Sequence, residues 1–185
     1  FMASPSGFVS LIRRFDSKGI IHDFIDTANP KYREAISKSK YKGLVQKGAV
    51  ATITQFSDIV FDPNGNLFTS DRLNHQIRKI DTEGNVSTIS GTGDSNHYGD
   101  NGPALEAAFR DPNALASDSE GNIYIADTAN NMIRKIDTNG IVTTFAGNGE
   151  HSDSGDGGSA LKDSIRSMDD IEFNPAGELY ILGTN

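Results

Sequence analysis

The run Ile-Arg-Lys-Ile-Asp occurs twice, as Ile77-Arg78-Lys79-Ile80-Asp81 and as Ile133-Arg134-Lys135-Ile136-Asp137, 56 residues apart. The same shift carries Asp62-Pro63-Asn64-Gly65-Asn66-Leu67-Phe68-Thr69-Ser70-Asp71 onto Asp118-Ser119-Glu120-Gly121-Asn122-Ile123-Tyr124-Ile125-Ala126-Asp127. It also carries Gly99-Asp100-Asn101-Gly102-Pro103-Ala104-Leu105 onto Gly155-Asp156-Gly157-Gly158-Ser159-Ala160-Leu161. A third copy opens at Phe173-Asn174-Pro175-Ala176-Gly177-Glu178-Leu179-Tyr180-Ile181. Separate segments that keep one period mark a repeated structural unit, and a period of this size means a solenoid, an array or a propeller.

The pattern inside one repeat chooses among these. Ile59-Val60-Phe61 is a short apolar run ended by Asp62-Pro63-Asn64-Gly65, a strong turn signal. Leu67-Phe68-Thr69 follows, then Ile77-Arg78-Lys79-Ile80 with apolar ends and a polar middle. Thr82-Glu83-Gly84 turns the chain, and Val86-Ser87-Thr88-Ile89 forms the last run. The second repeat gives the same four runs at 114–117, 123–126, 133–136 and 142–145. Each run has strand length and is bounded by turn chemistry. Four short antiparallel strands per unit make a propeller blade, with 59–61 and 114–116 as inner strands. A leucine-rich repeat would be shorter, and the repeat body lacks the 3.6-residue period of a helical one.

These units resemble NHL repeats, in the longer form that places a Gly-Asp-Gly-Gly-Pro-Ala type segment before each blade's first strand. Here that segment is residues 99–104 and 155–160, and the most specific part is the Asn-Xaa-Xaa-Ile-Arg-Lys-Ile-Asp run at 74–81 and 130–137. The resemblance covers residues 50–185 well. It reaches 8–26 more weakly, where Ile12-Arg13-Arg14-Phe15-Asp16-Ser17-Lys18-Gly19-Ile20 repeats a strand and turn. It implies an all-β, NHL-type β-propeller, part of a ring that usually has six blades. For function it implies little, because propellers host many unrelated activities.

The repeat units fall at approximately 1–58, 59–114 and 115–170, with the next starting at 171–185. The whole chain then reads as one partial propeller domain of about three four-stranded blades. Three blades cannot close a ring, which takes roughly four. The expectation is a piece of a larger protein, with the additional blades supplied by the rest of the chain or by another subunit. A hydrophobic content of 36%, with 19 Gly, no Cys and no apolar run of membrane length, fits a turn-rich β chain. No membrane insertion is expected. The absence of Cys excludes disulfides and thiolate chemistry and leaves the compartment, extracellular, periplasmic or cytoplasmic, open.

Charge is uneven. Residues 1–61 hold nine Lys and Arg against five Asp and Glu, whereas residues 62–185 hold eight against twenty. Much of the basic excess sits in an insertion at 28–48, which carries Lys31, Arg33, Lys38, Lys40 and Lys42. It reads as a solvated surface excursion, or as a docking element for an acidic or phosphate-bearing partner. Nucleic acid is disfavoured: the later blades are acidic, there is no Trp to stack on bases, and the repeated Arg78-Lys79 and Arg134-Lys135 are expected to pair with nearby carboxylates.

Asp94, Asp100, Asp153 and Asp156 could offer oxygen ligands to calcium or another divalent ion, but their spacing is not that of a calcium loop. Turn-forming carboxylates are the simpler reading, and no cofactor is called for. Asp71 and Asp127 likewise read as turn-capping acceptors. His97 and His151 lie in corresponding inter-blade loops, the one hint of convergence. No nucleophile elbow occurs, and Ser10, Ser70 and Ser152 have no evident base. The sequence therefore points to a non-catalytic binding or scaffold propeller. Inter-blade loops bearing His97, Tyr98, Asp100, His151, Asp153 and Asp156 would meet a protein, peptide or glycan ligand. The alternative is a propeller lyase or hydrolase with a divalent metal in the central channel, its site mostly outside this chain.

Overall fold

The computed structural model describes residues 11–15, 17–18, 20–26, 45–46, 49–50, 55–82, 86–152 and 157–184. Near the start, β1 (Leu11–Phe15) pairs antiparallel with β2 (Ile21–Asp26), the hairpin expected there. The pair β3 (Val45–Gln46) and β4 (Ala49–Val50) follows. The rest of the 28–48 insertion, with its five cationic residues, lies outside the described residues.

The first complete blade is β5 (Phe56–Phe61), β6 (Leu67–Asp71), β7 (Gln76–Ile80) and β8 (Val86–Ser90), hydrogen-bonded in that order. The second is β10 (Pro112–Ser117), β11 (Ile123–Asp127), β12 (Met132–Ile136) and β13 (Ile141–Ala146). A short β9 (Gly102–Pro103), from the Gly-Asp-Asn-Gly segment, adds to its outer edge beside β13. A third sheet contains β14 (Met168–Phe173) and β15 (Leu179–Gly183). All strand pairs are antiparallel, as four-stranded blades require.

The first strand of each blade starts earlier than its apolar run. Register shifts fall between Phe56 and Ile59, Pro112 and Leu115, and Met168 and Asp170. A bulge breaks the period-two alternation, so the residues before it lose their sequence signal. The turns are built as their composition demands. Asp62 Oδ1 accepts the N–H groups of Asn64 (2.9 Å) and Asn66 (2.8 Å), and Asp118, Asp137 and Asn174 repeat the pattern.

Blades pack face to face through two apolar clusters. Phe68, Ile77, Phe109, Leu115, Ile123 and Ile125 fill the space between the first two blades. Ala114, Tyr124, Ile133, Met168 and Ile171 fill the next. Burying each large side chain stabilises by about 1.5–3 kcal/mol. The inner strands are stitched as well: Asp58 Oδ2 accepts the Leu115 N–H (2.8 Å), and Ser70 Oγ donates to the Asn113 carbonyl (2.8 Å). Tyr124 is 5% exposed, whereas its repeat counterpart Tyr180, on the far face of the third sheet, is 60% exposed.

Candidate functional site

Successive antiparallel strands place their connections alternately on two rims. One rim carries the 71–75 and 127–131 turns together with the inter-blade segments that follow β8 and β13. The other carries the hairpin turns at 62–66, 118–122 and 137–140. Of the sequence-predicted contact residues, His97, Tyr98, Asp100 and His151 belong to the inter-blade segments of the first rim.

Residues 91–111 form a folded loop, not a loose one. Thr92 N–H donates to the Ala107 carbonyl (2.9 Å), Ala108 N–H to the Tyr98 carbonyl (3.0 Å), and Asn101 N–H to the Val142 carbonyl (2.7 Å). Gly99 has φ of +97°, and a Cβ there would approach Ala107 Cα to 2.5 Å, so only glycine closes the loop this tightly. On this frame His97 and Tyr98 are exposed. The Tyr98 hydroxyl donates to Asp94 Oδ2 (2.6 Å), which fixes the ring's direction. His151 is exposed in the corresponding loop. Asp153 and Asp156 lie outside the described residues.

Asp100 does a different job from its exposed neighbours. Its Oδ1 accepts from Nη2 (2.7 Å) and Nε (3.1 Å) of Arg134, and its Oδ2 accepts from the Thr144 hydroxyl (2.5 Å). Arg134 is fully buried, with Nη1 3.6 Å from Asp127 and the guanidinium over the Phe109 ring. Asp127 also accepts the Arg110 N–H (2.7 Å) and an Asn130 Nδ2 hydrogen (2.9 Å). Burial pushes its carboxyl up to about 6, against the opposing pull of Asn130, the Arg110 N–H and Arg134.

The first blade repeats the arrangement. Asp71 accepts from Arg78 (3.2 Å) and from Asn74 (2.9 Å), and Arg78 also donates to Thr88. The Arg–carboxylate pairing expected from the sequence is present. The turn-capping role expected of Asp71 and Asp127 is not: each occupies the N-cap position of a 3-10 turn without a side-chain capping bond. A buried guanidinium is the stronger claimant for a carboxylate. Lys79 and Lys135 lie instead over the rings of Phe68 and Tyr124.

Sequence reasoning missed one further fastening. Arg72 pairs with Asp111, and the Asp111 N–H donates to His75 Nδ1 (3.2 Å), tying the 71–75 turn to the inter-blade loop. The repeat hides it, because the positions 56 residues on are Thr128, Asn131 and Ser167. Among the described residues, no three His, Asp or Glu side chains gather to hold a metal ion. Among them also, no helix is long and apolar enough to cross a membrane.

The Teneurin NHL domain matches residues 91–174. Teneurin-1 of Gallus gallus is 34% identical over 147 residues, which take in 69% of this chain, and Teneurin-3 of Mus musculus is 35% identical over 160 residues, 79% of this chain. The chain is an NHL-repeat β-propeller. It spans 5% of the length of those two teneurins. The fold of the NHL propeller is also that of an auxiliary nutrient binding protein from Bacteroides thetaiotaomicron, at a TM-score of 0.57 and 18% identity over 92% of this chain and 40% of that one.

The opposite rim of the NHL propeller holds a feature that no motif announced. A cleft of about 280 Å³ opens between the first two blades. Phe68, Ile89, Ile123 and Ile136 form its apolar floor, and Asp62, Asn64, Lys79, Asp137 and Thr138 stand around it. Burial raises the Asp62 carboxyl, but hydrogen bonds from Asn66 and Asn64 and the Lys79 charge outweigh it and hold the group below the usual range. Asp137 is held low chiefly by the Ile141 N–H. Both carboxylates are ionised at neutral pH.

Proposed function

We propose that this NHL propeller is a non-catalytic binding module that presents its inter-blade loops to a protein or peptide partner. The observation that carries this reading is the 91–111 loop. Its backbone bonds to Val142 and Gly140 of the second blade and to the Ser90 and His75 side chains of the first, yet it leaves His97 and Tyr98 in solvent. A rigid backbone with an exposed imidazole beside a directed phenol offers donors, acceptors and a stacking face at small entropic cost. The match to the Teneurin NHL domain and the likeness to a nutrient binding protein's fold support a binding role in general terms. His151, with Asp153 and Asp156, would extend the same surface along the next loop. Asp100 would serve it indirectly, by anchoring the loop to Arg134.

The test is selection of a displayed random-peptide library on the wild-type protein, with selected peptides then measured against a His97→Ala/Tyr98→Ala variant. Peptides that lose affinity for the variant, at unchanged melting temperature, support the reading. Peptides that bind both proteins equally defeat it. Peptides that bind both but fail on a protein lacking residues 30–48 move the docking role to the basic insertion.

A further inference from the structure

Beside the cleft on the hairpin rim two positions depart from the repeat: Ile89, which lines it, and Ser117 on the neighbouring inner strand. At the next blade interface, Tyr124 is packed by the edges of two rings, Phe145 at 4.9 Å and Phe173 at 4.8 Å between centroids. Subtracting one repeat from these three gives Phe68, Ile89 and Ser117. The first aromatic is kept, the second has become a branched aliphatic, and the third has shrunk to a hydroxymethyl. The strand packing is equivalent in both places: β6 of the first blade faces β10 of the second, and β11 of the second faces β14 of the third sheet. One interface carries a three-ring cluster, and the other carries a cleft with a single ring, Phe68, in its floor.

The opening has a definite character. Its floor is apolar, with the Lys79 ammonium lying 5.7 Å from the Phe68 ring centroid. Its charged lining is Asp62, Asp137 and Lys79, two carboxylates to one ammonium. Ligand pockets for whole small molecules run from about 300 to 1,000 Å³, so this volume suits one side chain. An aromatic ring would complete the cluster that the neighbouring interface builds from its own residues, gaining edge-to-face contact with Phe68. A cation beside that ring would meet the excess carboxylate charge at the mouth, on a stretch of chain that is acidic throughout.

We propose that this inter-blade cleft is a binding site for an aromatic side chain of a peptide that carries a basic residue next to it. The site is separate from the loop surface proposed above. It lies on the other rim, so changing His97 and Tyr98 leaves it intact.

The experiment is amide NMR of the protein titrated with three capped dipeptides: acetyl-Phe-Arg-amide, acetyl-Leu-Arg-amide and acetyl-Phe-Glu-amide. The first is expected to shift the resonances of Ile89, Thr138 and Gly140 most. Replacing the ring by Leu, or the cation by Glu, should weaken binding about fivefold, the effect of losing one partly screened contact. A protein carrying Ile89→Phe and Ser117→Phe supplies the missing rings itself and should lose the response. Thr138→Trp, at an exposed turn position that tolerates bulk, should block the mouth and give the same loss without touching the floor. Equal binding of all three dipeptides, shifts centred on other residues, or an unchanged response in folded Thr138→Trp protein would each overturn the proposal.

Discussion

Asp100 Oδ1 accepts a 2.7 Å hydrogen bond from Nη2 of Arg134, a guanidinium with no solvent exposure. This contact joins the Gly-Asp-Asn-Gly segment to the third strand of the second blade. The strand buries an arginine, and the loop supplies the carboxylate that pairs with it. In the first blade the residue one repeat before Asp100 is Leu44. There Arg78 is served by Asp71 and Thr88.

Removing the guanidinium should therefore be far worse than weakening one partner. Arg134→Met leaves Asp127 buried with its charge uncompensated and should cost about 3–5 kcal/mol. Asp100→Asn keeps an acceptor for Arg134 and should cost about 1–2 kcal/mol. Urea denaturation of both variants measures the difference. Equal losses would mean that Asp127, despite its position, does not depend on Arg134.

Two glycines, Gly91 on the loop rim and Gly140 on the hairpin rim, test how tightly each is packed. Gly91 and Gly140 both have positive φ, +98° and +78°. A Cβ on Gly140 meets nothing, whereas one on Gly91 would run into the His75 carbonyl and lie 2.8 Å from Gln76 Cα. Gly140→Ala should cost about 1 kcal/mol, the left-handed backbone alone. Gly91→Ala adds a collision with immovable backbone and should cost roughly 3 kcal/mol or more. Thermal melts that rank them the other way would place the strain elsewhere.

The blades were legible because their signals are local. Asp-Xaa-Xaa-Gly turns and short apolar runs recur in register, and β5 to β8 and β10 to β13 fall where those runs lie. Burial of Arg78 and Arg134 was harder to see. An alternating Ile-Arg-Lys-Ile strand reads as a half-solvated one, and only tertiary partners 7 and 34 residues away make the arginine a core residue. The Arg72–Asp111 tie left no trace, since the repeat does not carry it. The hairpin-rim cleft was within reach. Its lining residue Ile89 stands where the next repeat has Phe145, a difference between aligned repeats and not a shared motif.

Tyr124 offers a narrower check. Its hydroxyl donates to Asp118 Oδ2 (3.1 Å), and burial together with that carboxylate pushes the phenol up to about 12. Tyr124→Phe keeps both ring contacts and leaves Asp118 its bonds to Asn122. The loss should stay near 1 kcal/mol. Ultraviolet titration should show one phenol, absent from the variant, that ionises near pH 12.

Asp127 should leave its mark on the pH dependence of stability. Burial is the largest influence on it and raises its folded-state value to about 6. The unfolded chain's carboxylate titrates near 4, at about 3.9. The folded protein thus holds this proton more tightly than the unfolded chain does. Stability from that difference is present in acid and is lost as pH rises through the window from about 4 to about 6. The turn carboxylates Asp62, Asp118 and Asp137, all held low, act with the opposite sign, and their contribution fades only as pH falls through their depressed values. Asp127→Asn keeps the size and the acceptor for the Arg110 N–H while removing the titration. The melting-temperature gap between wild type and this variant should shrink in favour of the variant from pH 4 to pH 6 and then level off. A gap that widens in favour of wild type over that range would show that attraction to Arg134 outweighs burial and that Asp127 is already ionised at pH 4.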